Sequence, residues 1–208
     1  MVEIAISIAL VSFALVAIIG VLPTGLNVQR ENREDTIIYQ DATVLMEAIK
    51  GGAQSAGMTN LSANLEWITP IGGTTYSNVP PLTPAQVVSY LSTPRQGAAN
   101  FCQARFRSFS GSLRDRDTNA AAVAFGFIVT SEINPVEDYS AAAGLNPNYS
   151  RYLSNNLHDV RLTFRWPVIN GNAGNSRLTM RSLVSGSLSN TNNTNGFWFF
   201  QTTSFFGP

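Results

Sequence analysis

The sequence predicts an α+β protein in which a long N-terminal α-helix packs on a head built from a C-terminal antiparallel β-sheet. Three observations predict this fold class. An uncharged apolar run opens the chain, a helical pattern follows it, and alternating apolar and polar residues fill much of the C-terminal half. We place the helical segment in residues 1–58 and the head domain in residues 59–208.

The apolar run covers residues 4–22 and contains no charged residue. As an α-helix it would be about 28 Å long, which is close to the hydrocarbon thickness of a bilayer. It therefore predicts a membrane-spanning first half of the helix. No lysine or arginine precedes the run, which argues against a cleaved secretory signal. The first basic residues, Arg30 and Arg33, are interleaved with acids and leave the orientation open.

The start of the chain, Met1, Val2, Glu3 and the apolar residues after them, resembles the N-terminus of mature type IV pilins and type II secretion pseudopilins. Those chains begin Phe-Thr-Leu, then an aliphatic residue and a glutamate, before an apolar helix. Val2 and Glu3 match the last two positions, and Met1 stands where the leucine would be. One explanation is a leucine codon read as an initiator, with a short basic leader encoded upstream.

The resemblance implies a structural subunit, without catalytic activity or cofactor, that polymerises with copies of itself into an extracellular filament. Its partners would be a prepilin peptidase, the pilus or secretion assembly machinery and, before assembly, the bacterial inner membrane. Glu3 would pair with the N-terminal amine of Met1 in a neighbouring subunit and fix the register. A charge within a membrane span is costly without a partner. The alternative is a Glu3 carboxylate that lies among lipid headgroups.

Three residues that disfavour a helix, Gly20, Pro23 and Gly25, follow the span within residues 20–25. Proline removes a backbone donor and clashes with the preceding turn, and glycine is a poor helix former. We expect a kink or a locally melted turn here, as in the pilin helices that this segment resembles. An ordinary helix end at the membrane surface is the alternative.

The pattern predicts that an amphipathic helix resumes over residues 26–50, to give a total length of about 70 Å if straight. A four-three-four spacing places four apolar side chains on one face, with Asp41 mostly elsewhere: Ile38, Ala42, Leu45 and Ile49. Gly51 and Gly52 predict the end of the helix.

A charged cluster separates the two halves of the helix and contains Arg30, Glu31, Arg33 and Glu34. Its spacing allows helical ion pairs worth a few tenths of a kcal/mol each. The cluster is either a contact belt between subunits or a solvated face at the membrane edge.

The composition excludes several function classes. The formal net charge is zero, which gives no basis for nucleic-acid binding. Cys102 is the only cysteine, so no intrachain disulfide holds the tail, and His158 is the only histidine. We expect neither to be catalytic and no metal site. Asp115 and Asp117 carry calcium-type ligands, but interleaved arginines would neutralise such a site.

The head begins with a loop-rich stretch over residues 67–95. Within it, Thr83 and Gln86 have the spacing of a capping box, with Pro84 at the first helical position. A short helix from Pro84 to about Leu91 is expected.

In the rest of the head, the sequence predicts strands at 121–130, 160–166 and 177–181. The last two are expected to form a hairpin across a Gly/Asn-rich loop at 170–175. Alternation directs Val160, Leu162, Phe164 and Trp166 inward. Arg161, Thr163 and Arg165 would then point outward.

An aromatic tail, which includes Phe197, Trp198, Phe199 and Phe200, follows a polar loop. These rings either complete the core, form a subunit interface or offer a sugar-stacking platform. Three functions therefore remain open. The leading one is a type IV pilin, and the alternatives are a type II secretion pseudopilin and a membrane-anchored surface adhesin or lectin.

Overall fold

The structure is a computed structural model that describes most of the chain. The described residues are 2–52, 58–77, 81–95, 101–109, 125–136, 147–169, 171–190 and 197–207. The chain divides into an N-terminal unit, Met1–Ile37, and a head unit, Ile38–Pro208. This division precedes the boundary expected at residue 58, because the last turns of the long helix contribute side chains to the core of the head.

The N-terminal unit consists of one α-helix, α1 (Val2–Gly51), which continues into the head unit. Large apolar side chains from Val2 to Val28 are exposed along it. The helix ends where the sequence predicted. Gly52, which follows its last residue, has a φ of 54°, the left-handed conformation that commonly terminates a helix.

The helix continues through Pro23 without interruption, so the melted turn expected at Gly20, Pro23 and Gly25 is not observed. A proline removes one backbone hydrogen-bond donor, and a glycine lowers helix stability by about 1 kcal/mol relative to alanine. A long helix tolerates both losses. A concave groove of about 490 Å³ lies on the face opposite Pro23. Its lining residues are Ala17, Ile18, Val21, Leu22, Gly25, Leu26 and Gln29.

The part of α1 within the head unit supplies fully buried side chains at the four predicted positions, Ile38, Ala42, Leu45 and Ile49. The expectation for Asp41 was wrong, because its side chain is buried as well. It lies three residues after Ile38 and therefore on the same side of the helix. Its Oδ2 accepts a hydrogen bond from the backbone N–H of Phe109 at 3.2 Å, which offsets part of the cost of burial.

The head contains an antiparallel six-stranded sheet with the order β2-β1-β3-β4-β5-β6. Its strands are β1 (Leu65–Thr69), β2 (Tyr76–Ser77), β3 (Cys102–Arg107), β4 (Gly126–Pro135), β5 (Leu157–Ile169) and β6 (Asn172–Ser185). The longest strand, β6, is the last strand of the sheet. One face of the sheet carries the core, which includes Phe106, Phe127 and Phe164.

The predicted hairpin is the β5–β6 pair, and its inward side chains Val160, Leu162, Phe164 and Trp166 are buried as expected. The connecting loop is shorter than predicted, because β6 already begins at Asn172. A Cβ added at Gly174 would lie 2.7 Å from the carbonyl oxygen of Trp166. Glycine therefore allows β6 to approach β5 closely in a segment that the composition alone assigns to a turn.

In the described part of the head, three short helices accompany the sheet: α2 (Thr59–Ala63), α3 (Pro84–Leu91) and α4 (Pro147–Asn156). The prediction for α3 is confirmed at both ends. Gln86 N–H donates to Thr83 Oγ1 at 3.3 Å, and Thr83 N–H donates to Gln86 Oε1 at 2.8 Å, which together form the capping box. The buried side chains of Val87, Val88 and Leu91 anchor α3 in the core.

A second sheet of two strands, β7 (Ser187–Asn190) and β8 (Trp198–Gln201), completes the head. The predicted strand at 121–130 corresponds to β4, which begins at Gly126, and residues 121–124 lie outside the described part of the chain. Helices α2 and α4 and strands β1, β2, β3, β7 and β8 were not predicted. The stretch 67–95, expected to be loop-rich apart from α3, also contains most of β1 and all of β2.

Candidate assembly interface

The apolar surface of α1 is the largest feature of the described chain that its own fold leaves uncovered. The helix is long and apolar enough to cross a membrane by length and composition, a test that a signal sequence near an N-terminus also passes. Large side chains such as Phe13, Val16 and Ile19 are more than half exposed. Contiguous apolar surfaces of this kind mark contacts with lipid or with another protein.

Glu3 lies in the first turn of α1 and is exposed. Its backbone carbonyl accepts a hydrogen bond from Ser7 Oγ at 2.8 Å, which is an ordinary helical contact. Within the described residues its carboxylate forms no hydrogen bond or ion pair. Met1, its expected partner in a neighbouring subunit, lies outside the described residues.

The charged cluster includes an ion pair along the helix. Arg30 Nε lies 2.9 Å from Glu34 Oε1, and the arginine side chain is largely exposed. Glu31 and Arg33 are also exposed. An exposed pair of this kind contributes a few tenths of a kcal/mol, so the cluster adds little to the stability of the helix itself. Both of its proposed roles, contact belt and solvated face, are compatible with this exposure.

The aromatic tail divides into core and surface residues. Phe199 and Phe200 in β8 are buried in the hydrophobic core, so neither ring is available to a partner. Phe197 and Trp198 are partly buried and pack against that core. The backbone N–H of Trp198 donates to Ser89 Oγ at 2.9 Å. Phe199 and Phe200 therefore belong to the core, rather than to a subunit interface or a sugar-stacking platform.

Asn156 holds the end of the tail, a role for which the sequence gives no local signal. Phe206 N–H donates to Asn156 Oδ1 at 2.7 Å, and Asn156 Nδ2 donates to the Phe206 carbonyl at 2.9 Å. The same amide nitrogen donates to the Tyr152 carbonyl at 2.9 Å, and the side chain is buried. These hydrogen bonds fasten the tail in a chain that has a single cysteine.

Cys102 and His158 do not form a catalytic pair. The strand register aligns Cys102 with Ser131 and Ser131 with Leu162, four residues along β5 from His158. This separates the two residues by about 13 Å along the strands and about 10 Å across them. Burial raises the pKa of the Cys102 thiol to about 12, which keeps it protonated and weakly nucleophilic.

His158 is a core residue rather than a proton carrier at a cleft. Its ring packs edge-on against Phe200 with 5.5 Å between the ring centres. Burial lowers the pKa of the imidazole, so the neutral form is favoured. Among the residues that the structure describes, no group of three histidine, cysteine, aspartate or glutamate side chains could hold a metal ion. Asp115 and Asp117 lie outside that part.

No family model, curated protein or solved structure matches this chain.

Proposed function

We propose that this chain is a structural subunit of the type IV pilin kind, which polymerises through its N-terminal helix into a filament at the cell surface. The observation that carries the proposal is the exposed apolar surface of α1 together with the single carboxylate, Glu3, at its start. Such a surface is stable in lipid or among identical helices, and a filament subunit uses both environments in turn.

Glu3 has a specific role in this proposal. Its carboxylate would pair with the N-terminal amine of a neighbouring subunit as the apolar helices come together. An ion pair in an apolar environment is strongly favoured over a lone charge there, so a subunit in the wrong axial register would leave a carboxylate unpaired. Apolar burial would supply the energy of assembly, and Glu3 would select the register.

The head unit would form the outer layer of the filament. Its own core includes the last turns of α1, so the helix is joined to the head by side-chain packing as well as by the peptide chain. The prepilin peptidase, the assembly machinery and the inner membrane remain the proposed partners before assembly. A type II secretion pseudopilin, whose filament is short and periplasmic, is the alternative that shares these features.

Electron microscopy of filaments sheared from cells that express this chain, combined with N-terminal sequencing of their protein, tests the proposal. We expect surface filaments that contain the chain, with Glu3 in the helical core beside a neighbour's amine. A protein found only in the inner membrane and unpolymerised would overturn it. Short periplasmic assemblies without surface filaments would favour the pseudopilin.

A substitution pair tests the role of Glu3 within the same experiment. Glu3→Gln keeps the size of the side chain but removes its charge, and we expect few or no filaments at unchanged levels of membrane-bound protein. Glu47→Gln is the matched control, because Glu47 is an exposed carboxylate on the same helix, ion-paired to Lys50 at 3.1 Å. Normal assembly of the Glu3→Gln variant would contradict the register role.

A further inference from the structure

The face of the six-stranded sheet opposite the core carries a concentration of positive charge. Alternation along β3 to β6 places the buried residues on the other face and directs six arginines outward, Arg105, Arg107, Arg161, Arg165, Arg177 and Arg181. Three carboxylates share the face: Glu66, Glu132 and Asp159. Six arginines against three carboxylates leave a formal excess of three positive charges on a chain whose net charge is zero.

The outward side chains are aligned in rows across the strands. One row consists of Arg105, Ile128, Arg165 and Arg177, which are paired in register from β3 to β6. The next row consists of Gln103, Thr130, Thr163 and Thr179. The hydroxyls of Thr163 and Thr179 lie 3.5 Å apart. A line of hydrogen-bonding side chains therefore runs beside a line of cations.

Most of the arginines on this face have a carboxylate partner. Arg105 and Arg107 share Glu66 at 2.7 and 3.5 Å. Arg161 and Arg181, which lie directly opposite each other, are each compensated, by Glu132 at 3.7 Å and by Asp159 at 2.7 Å.

Arg165 and Arg177 lie directly opposite each other as well, but without such compensation. Arg165 donates to the Gly174 carbonyl at 3.4 Å, and within the described strands and loops no carboxylate pairs with either residue. Like charges placed directly opposite on neighbouring strands are unfavourable. An anion bound between the two guanidinium groups would remove that repulsion.

We propose that this face binds an anionic polysaccharide, one whose sugar units carry carboxylate or sulfate groups. Guanidinium groups bind both oxyanions through paired hydrogen bonds, and the threonine row offers hydroxyls to the sugar hydroxyls. Strands β3 to β6, all of which are described, direct no aromatic side chain to this face, and β1 contributes one, Trp67, which is paired in register with Arg105. The face therefore lacks the series of stacking rings typical of single-stranded nucleic-acid sites.

The test uses the full chain in detergent micelles and measures binding to immobilised polymers at low and moderate salt. The probes are polygalacturonate, which carries carboxylates, dextran sulfate, which carries sulfates, uncharged dextran and an oligothymidylate. We expect binding to one or both of the charged polysaccharides, weakened by salt, and none to dextran. The two charged probes distinguish the carboxylate from the sulfate as the preferred group.

Substitutions locate the site. Arg165→Gln and Arg177→Gln are each expected to weaken binding at least tenfold, while thermal unfolding stays unchanged or rises slightly because a like-charge pair is removed. Arg151→Gln is the matched control, since it loses the same charge from the exposed surface of α4, which precedes the far end of β5. It is expected to bind like the unmodified chain.

Several results would overturn the proposal. These are no binding to either charged polysaccharide, equal losses for Arg151→Gln and the two sheet variants, or tighter binding to the oligothymidylate than to both polysaccharides. Binding does not depend on filament formation, so a negative result here leaves the proposed structural role standing.

Discussion

Asn156 shows how one side chain can fasten a distant part of the chain. Its amide both accepts from and donates to the backbone of Phe206. The Asn156 side chain is buried and Phe206 is half exposed, so loss of these hydrogen bonds leaves polar groups that water reaches only in part. No periodicity or motif marks this asparagine in the sequence, because its partner lies 50 residues away.

Replacement of Asn156 by alanine is expected to destabilise the head by about 1–3 kcal/mol. The amide of Phe206 should also lose its protection against hydrogen exchange. Thermal unfolding and hydrogen exchange of the tail peptide measure the two effects. Asn155→Ala is the control, because Asn155 is the exposed neighbour in the same helix. Equal behaviour of the two variants would show that the tail is held by other contacts.

His158 gives the head a dependence on pH that can be assigned to one residue. Burial lowers its pKa in the folded state, so the unfolded chain binds the proton more readily. The stability that neutral His158 contributes is complete above its unfolded pKa of about 6.5 and decreases as the pH falls below that value. His158→Gln removes the titrating group.

We therefore expect the urea midpoint of the unmodified chain to fall between pH 7.5 and pH 5 by more than that of His158→Gln. Because the chain has a single histidine, an imidazole NMR titration reports this residue alone. A titration midpoint at or above 6.5 in the folded state would contradict the expectation.

Among the elements, α3 illustrates a structure specified almost entirely by adjacent residues. The capping box of Thr83 and Gln86 and the proline between them predict the residue at which the helix begins. Thr83→Ala is expected to cost about 0.5–2 kcal/mol of stability, whereas Thr83→Ser, which keeps the hydroxyl, should cost much less. Chemical denaturation of the two variants measures the difference. Similar losses of stability in both variants would mean that the methyl group of Thr83, rather than its capping hydroxyl, stabilises the helix.

The elements that the sequence failed to predict depend on distant residues. Strand β3 lies between β1 and β4, and its register is fixed by partners as far away as Ser131. Asp41 has the polarity of a surface residue, yet its position three residues after Ile38 places it in the core, where Phe109 supplies a donor. The alternation in β5 correctly predicted outward arginines, but their alignment with those of β3 and β6 requires the registers of three strand pairs.

At the scale of the whole molecule, the boundary between the two units predicts where the chain can be divided. A fragment that begins at Ile38 retains the side chains of α1 that belong to the core of the head. We expect it to be a water-soluble monomer with a single cooperative unfolding transition, whereas the full chain requires detergent. Size-exclusion chromatography and circular dichroism measure this.

A fragment that begins at Gly52 is the matched control. It lacks the buried helix residues, among them Ile38, Leu45 and Ile49. Each such side chain contributes about 1.5–3 kcal/mol on burial, and a whole domain is stable by only about 5–15 kcal/mol. This fragment should not fold. A stably folded fragment from Gly52 would show that the head does not need the helix.

The position of β6 as the last strand of the sheet also bears on how the protein behaves at high concentration. Among the described residues no further strand pairs with the outer edge of β6. A free edge of 14 residues is a template for pairing with another molecule, and β6 contains no proline or lysine to prevent it. Suppose that the β6 strands of two copies paired antiparallel, with Thr179 opposite Thr179. Arg177 of each copy would then lie opposite Arg181 of the other copy. In that register the two arginines would oppose edge-to-edge pairing, and a polyanion that neutralised Arg177 would weaken this opposition at the place where it binds.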